Sequence, residues 1–177
     1  MSIDVGSFAP DFELTDEWGE IWRLSEHRDR PCVLVFQRHL ACLPCQEHLL
    51  SLRDRVERFG DAPVVVVTFA EVERLAPYRS ALELPFVLLS DRDRGVYRRY
   101  ELARGSWWRI YGVRTLRMYA RLLRAGRRPT RPTEDTMQLG GDFVIDQDGM
   151  IAFAARPVSP ATRPSVEAII AAVEACR

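Results

Sequence analysis

The sequence predicts an α/β domain of three layers, α/β/α, with a mixed central sheet and an N-terminal β-hairpin. Three observations carry that prediction. The runs PCVLVFQ (31–37) and APVVVVTF (62–69) are nearly continuous hydrophobes, the pattern of strands buried on both faces. Segments with apolar residues three and four apart follow these runs, so strands and helices alternate along the chain. The stretch GDFVIDQDGMIAFAA (141–155) reads as an antiparallel hairpin turning at Asp148 and Gly149, which makes the sheet mixed.

Taken in order, short strands at 11–14 and 21–24 flank a turn through Asp16, Glu17, Trp18 and Gly19 and form the N-terminal hairpin. Ser25 and Glu26 suggest one helical turn before the strand at 31–37. From Cys42 to about Arg58, Leu49, Leu52, Val56 and Phe59 fall on one face of an amphipathic helix. The strand at 62–69 is followed by a helix over 71–82 with a kink or restart at Pro77, a strand at 86–89, and a helical turn or two over 95–100. Pro164 is expected in the first turn of a closing helix, SVEAIIAAVEAC.

The chain has 177 residues, about one domain's length, and is read as a single domain over 1–177. Its 25 basic and 25 acidic residues cancel, so no global field draws it to nucleic acid. Every basic residue is arginine, which excludes a catalytic lysine. No stretch approaches the ~20 apolar residues that span a bilayer, and MSIDVGSFAP lacks an apolar leader segment. Integral membrane association is therefore not expected, and the expected compartment is the cytoplasm.

Residues 104–140 stand apart as a basic, aromatic-containing insert. Residues 104–131 carry nine arginines and no acidic residue, together with Trp107, Trp108, Tyr111 and Tyr119. Val113, Leu116, Ala120 and Leu123 form one apolar stripe of a helix, and Arg114, Arg117, Arg121 and Arg124 repeat that spacing one position later. Two readings compete: a solvated basic face paired with the acidic remainder of the domain, or a substrate site. In the second, the arginines hold the acidic head of an amphipathic substrate while Trp107 and Trp108 receive its tail.

The sharpest motif is Cys42-Leu43-Pro44-Cys45, after a buried strand and at a helix start. Haem attachment needs a His at position 46, which is Gln, and zinc needs a second ligand pair that the chain lacks. No metal and no cofactor is expected. At a helix N-terminus, orphan N–H groups and the helix dipole favour a thiolate, lowering a cysteine pKa from about 8.5. Two intervening residues place the second thiol one turn on, in reach of a disulfide. Arg38 adds positive charge from the strand end. His39 and His48 are read as solvent or packing residues, Cys32 as core, and Cys176 as a free thiol on the last helix.

These segments resemble a known superfamily. GSFAPDFELTDEWGEIWRLSE (6–26) and GGDFVIDQDGMI (140–151) resemble alkyl hydroperoxide reductase and thiol-specific antioxidant (peroxiredoxin) domains. More narrowly, VFQRHLACLPCQEHL, LLSDRDRGVYRRYEL and the Trp-containing insert running into MQLGG resemble the peroxiredoxin-like group that includes prostamide/prostaglandin F synthase relatives. The resemblance implies a thioredoxin-like fold and reduction of a peroxide or disulfide by a cysteine pair, recharged by thioredoxin or another dithiol. In the peroxiredoxin register Cys45 takes the peroxidatic position, Cys42 replaces a Thr, and Gly140 and Gly141 stand where a peroxide-binding Arg is expected. In the thioredoxin register Cys42 attacks and Cys45 resolves. The leading expectation is a Cys42–Cys45 dithiol peroxidase of bulky organic hydroperoxides or endoperoxides, with Cys42 attacking. The alternatives are a thioredoxin-like protein disulfide oxidoreductase and a non-catalytic redox-sensing module.

Overall fold

The computed structural model describes residues 3–177. Seven strands form one mixed sheet: β1 (Glu13–Asp16), β2 (Ile21–Arg23), β3 (Cys32–Phe36), β4 (Val64–Thr68), β5 (Val87–Ser90), β6 (Gly141–Ile145) and β7 (Ile151–Ala155). Their order is β2-β1-β5-β4-β3-β6-β7. β3, β4 and β5 are parallel, and β1 and β6 flank them antiparallel. The helices are α1 (Leu43–Arg53), α2 (Leu75–Ala81), α3 (Gly95–Arg99), α4 (Trp107–Ile110), α5 (Val113–Arg124) and α6 (Val166–Ala175). The mixed sheet is the one the strand and helix order predicts, and the arrangement is the thioredoxin-like fold that the family resemblance implies.

The apolar runs are buried on both faces because each face meets its own core. Val33 and Val35 of β3 pack with Leu49 and Leu52 of α1 and with Ile169, Ile170 and Val173 of α6. Leu34 and Phe36 point to the other face, among Phe12, Val96, Tyr97, Tyr100 and Phe143. α3 is fixed there by the Asp91 carboxylate, which accepts from the N–H groups of Gly95, Val96 and Tyr97. The sheet is thus held rigidly on two sides behind the end of β3, where the cysteine pair begins.

Several element edges differ from the sequence reading. The first strand lies two residues later than expected, because the Asp16 carboxylate accepts from the N–H groups of Trp18 and Glu20 and closes the turn after itself. The helix expected to reach Arg58 stops at Arg53 and resumes as a 3-10 turn over Val56–Phe59. Pro77 does mark a restart: a 3-10 turn at Val72–Arg74 precedes α2, and the proline sits in its first turn, where an amide has no carbonyl partner. Pro164 precedes the last helix instead of opening it. Ser165 is the N-cap, its hydroxyl accepting from Ala168 N–H.

The insert leaves and rejoins the domain at one point. Arg104 and Gln138 pair antiparallel, with Gly105 N–H donating to Met137 C=O at 2.7 Å. Between them α4 and α5 form a helical arm. α5 rests on the domain through buried Thr115 and Leu122 and half-buried Met118 and Tyr119. An Arg127–Glu47 ion pair of 2.5 Å ties its far end to α1.

Candidate active site

The backbone leaves β3 through Gln37, Arg38 and His39 and enters α1 at Cys42, the N-cap residue. Cys42 N–H donates to His39 C=O at 3.0 Å, and Cys42 C=O accepts from Gln46 N–H at 2.9 Å, so the helix starts on the first cysteine. Pro44 occupies the first turn, where its missing N–H costs nothing. Cys45 follows one turn later. The two free sulfurs lie 2.6 Å apart in hydrogen-bond contact, both fully buried.

Two guanidinium groups bracket the sulfurs. Arg38 donates from Nη1 to Cys42 Sγ at 3.4 Å, and its other nitrogens are anchored on Gln138 C=O at 3.2 Å and Thr136 C=O at 2.5 Å. The return leg of the insert therefore aims Arg38 at the thiols. Arg163, from the loop between β7 and α6, places Nη2 at 4.0 Å from Cys45 Sγ and at 2.6 Å from Phe36 C=O. Its Nη1 binds the Asp142 carboxylate at 2.8 Å, and the other Asp142 oxygen meets His48 Nε2 at 2.8 Å. Asp142 is wholly buried within β6.

The two sulfurs are electrostatically unequal. Burial alone would raise the Cys45 thiol, but the hydrogen bond from Cys42 and the charges of Arg163 and Arg38 outweigh it and hold Cys45 well below the ordinary thiol range. Burial and the negative charge developing on Cys45 push Cys42 well above that range. These directions favour ionisation of the later sulfur, whereas the expectation was that Cys42 attacks. Among the core positions, burial pushes Cys32 up to about 12, and the half-buried Cys176 donates to Ala172 C=O.

Two cavities lie beside the guanidinium groups that bracket the pair, one reached by Arg163 and the other by Arg38. One, of about 260 Å³, is lined by Pro44, Glu47, His48, Arg121, Arg163 and neighbours. The other, of about 280 Å³, lies under the insert and is walled by Ile110, Tyr111, Leu116, Tyr119 and Pro132, with Arg38, His39 and Thr115 in its lining. Burial, and then Arg38, hold the His39 imidazole down to about 4, so it is neutral at physiological pH.

Of the residues singled out in the sequence, Cys42, Cys45 and Arg38 converge. Arg121 reaches the cavity bearing Arg163. Trp107, Trp108, Arg114, Arg117 and Arg124 line neither cavity. The stripe of Val113, Leu116, Ala120 and Leu123 exists but is not buried in the core: Val113, Leu116 and Leu123 are exposed, and Leu116 borders the cavity under the insert. Sequence reasoning missed Arg163, Asp142 and the bonded role of His48. A signal was present: Asp142 interrupts an otherwise apolar buried strand, and a buried carboxylate requires a cation. Among the described residues no cluster of three or more His, Cys, Asp or Glu is placed to hold a metal.

The AhpC/TSA family profile matches residues 5–154. A Mycobacterium tuberculosis protein named "Putative peroxiredoxin" is 30% identical over 154 residues, 86% of this chain and 84% of that one. Peroxiredoxin Bcp of Bacillus subtilis is 32% identical over 95 residues, 52% of this chain and 60% of that protein. Among solved structures, peroxidoxin BcpB from Mycobacterium tuberculosis superposes with a TM-score of 0.73 at 21% identity, over 99% of both chains.

Proposed function

The chain belongs to the AhpC/TSA family and is a thiol-dependent peroxidase, and from that premise we propose that Cys45 attacks the peroxide and Cys42 resolves it. The observation that carries this reading is the Cys45 sulfur itself, buried with Arg163 at 4.0 Å and 2.6 Å from the Cys42 sulfur that Arg38 holds in place.

The Cys45 thiolate attacks the distal oxygen of R–O–OH. A sulfur–oxygen bond forms as the O–O bond breaks, and the alkoxide leaves and takes a proton from solvent. The guanidinium of Arg163 faces the charge that moves along this line, where a fixed cation is worth more than in water. Cys42 then attacks the Cys45 sulfenic acid, forming Cys42–Cys45 and releasing water with the Cys42 proton. A thioredoxin-like or other external dithiol reduces that disulfide, returning both thiols. Four free cysteines suit a reducing compartment, and we place the cycle in the cytoplasm.

The apolar cavity under the insert supports an organic hydroperoxide as substrate. Arg38 belongs both to its lining and to the sulfur pair, so an alkyl tail against Ile110, Tyr111, Leu116 and Tyr119 leaves its hydroperoxide end at the thiols. The test is a single-turnover assay. Cys42→Ser should consume one equivalent of peroxide and stop at the Cys45 sulfenic acid, while Cys45→Ser should consume none. The reverse pattern returns the attack to Cys42.

A further inference from the structure

Apart from Tyr111 and Leu116, which line the apolar cavity, the exposed face of the insert has no part in the thiol chemistry proposed above. Val113 is 64% exposed and Leu116 58%, with Leu123 beside them on the same face of α5. This strip continues into the aromatics below it. Tyr111 and Leu116 line one cavity mouth, the Trp107 ring packs on Tyr111 with centroids 4.3 Å apart, and Trp108 next to it is 83% exposed. Single exposed hydrophobes are ordinary, but a contiguous strip of this kind marks an interaction site.

Charge defines the partner. Arg114, Arg117, Arg121 and Arg124 border the strip and are exposed. Among the described residues they form no ion pair, although arginines at the two ends of the insert do, Arg104 with Asp135 and Arg127 with Glu47. The reading of the ridge as paired with the acidic remainder of the domain is therefore not what the structure holds. All 25 acidic residues lie outside residues 104–131, so the molecule is polarised with this arm as its positive pole. Nucleic acid would satisfy the arginines and leave the apolar strip in water. A bilayer with anionic headgroups satisfies both at once: arginines at the phosphates, and Trp and aliphatic side chains at the acyl boundary.

We propose that the α4–α5 arm docks the protein peripherally on an anionic lipid bilayer, with Trp107, Trp108, Val113, Leu116 and Leu123 inserted and the arginine ridge on the headgroups. No helix of the described residues is long and apolar enough to cross the membrane, so the protein lies on the surface. The mouth of the apolar cavity, marked by Tyr111 and Leu116, opens on the docked face. Where the cavity serves the peroxidase cycle inferred above, docking delivers hydroperoxides formed on acyl chains in that membrane.

The full chain is sedimented with vesicles of mixed phosphatidylglycerol and phosphatidylcholine, and separately with phosphatidylcholine alone. Retention by the anionic vesicles should be at least about tenfold tighter, should weaken as salt rises, and should shift tryptophan emission to the blue. Trp108→Ser with Leu123→Ser, and Arg117→Gln with Arg124→Gln, should each lower retention about tenfold. Both double variants should keep wild-type hydrogen peroxide turnover, because none of these residues lines a cavity beside the sulfurs. Equal retention on neutral vesicles, no retention, or variants that bind like wild type overturns the proposal. Retention on a DNA duplex or an acidic protein without vesicle binding also overturns it and gives the surface to that partner. An inactive chain that still binds anionic vesicles refutes the peroxidase reading alone.

Discussion

The Arg163 guanidinium reaches the Cys45 sulfur at 4.0 Å from a loop 118 residues further along the chain. It is aimed there by Asp142, which takes its other nitrogen, and by the Phe36 carbonyl at the end of β3. The cation is therefore fixed by the sheet and does not depend on the mobility of its own loop.

Thiolate chemistry should show this directly. Because the Cys42 hydrogen bond and Arg163 hold the Cys45 pKa down to about 5, its alkylation rate should be nearly flat from about pH 8 down to about pH 6, a range in which an ordinary thiol with a midpoint of about 8.5 loses nearly all its thiolate. Arg163→Met should move the midpoint upward, lower the thiolate fraction at neutral pH, and reduce kcat/KM for peroxide about tenfold, since one pKa unit is about 1.36 kcal/mol. Site-resolved mass spectrometry of alkylated Cys45 across a pH series reads the midpoint. A midpoint unchanged by Arg163→Met would assign the depression to Cys42 and Arg38.

Asp142 gives a stability test. Its carboxylate is held well down despite a burial that opposes ionisation, because Arg163 and then His48 offset that cost. Asp142→Ala leaves Arg163 enclosed without a counter-charge and His48 without a partner, so unfolding should become easier by about 3–5 kcal/mol. Asp142→Asn keeps hydrogen bonds to both and should cost less. Guanidinium denaturation midpoints rank the two, and equal costs would show that charge, and not hydrogen bonding, dominates the cluster. The sign with pH follows: the folded pKa is depressed, so this stabilisation is full above the ordinary carboxylate range and is lost as pH falls through the folded value.

Local signals in the chain carried most of the fold. Runs such as PCVLVFQ declare doubly buried strands, and Cys42 with Pro44 declares a helix start, because these depend on neighbours in sequence. The bracketing of Cys45 depends on residues far apart in sequence, and there local reasoning stopped. Gly140 and Gly141 looked like the loss of an arginine. In the structure a Cβ at Gly140 would strike both the Phe36 carbonyl and the Arg163 guanidinium, so the glycine is the opening through which an arginine from another loop enters. The insert helix was legible in its periodicity but not in its orientation. Its apolar stripe and the face that holds Thr115, Met118, Tyr119 and Leu122 are both plausible inner sides by spacing, and only the tie of Arg127 to Glu47 and the closed base at Arg104 and Gln138 turn the second one inward.

On the proposed seating of the organic tail in the cavity under the insert, substrate choice should follow the walls of that cavity. Leu116 forms part of its wall at the mouth, while Arg38 stands in the lining that adjoins Cys42. Leu116→Asp puts a charge against an apolar tail without touching either sulfur or either guanidinium. The burial lost is that of a few methylene groups, each worth about 0.8 kcal/mol, so kcat/KM for cumene hydroperoxide should fall about tenfold or more. Hydrogen peroxide has no tail, and its kcat/KM should stay within about twofold of wild type on the same argument. Steady-state assays of both substrates on both proteins measure the ratio. A parallel fall for both would mean that the substitution disturbs Arg38, and no fall for either would place the organic group in the cavity beside Arg163 and Arg121.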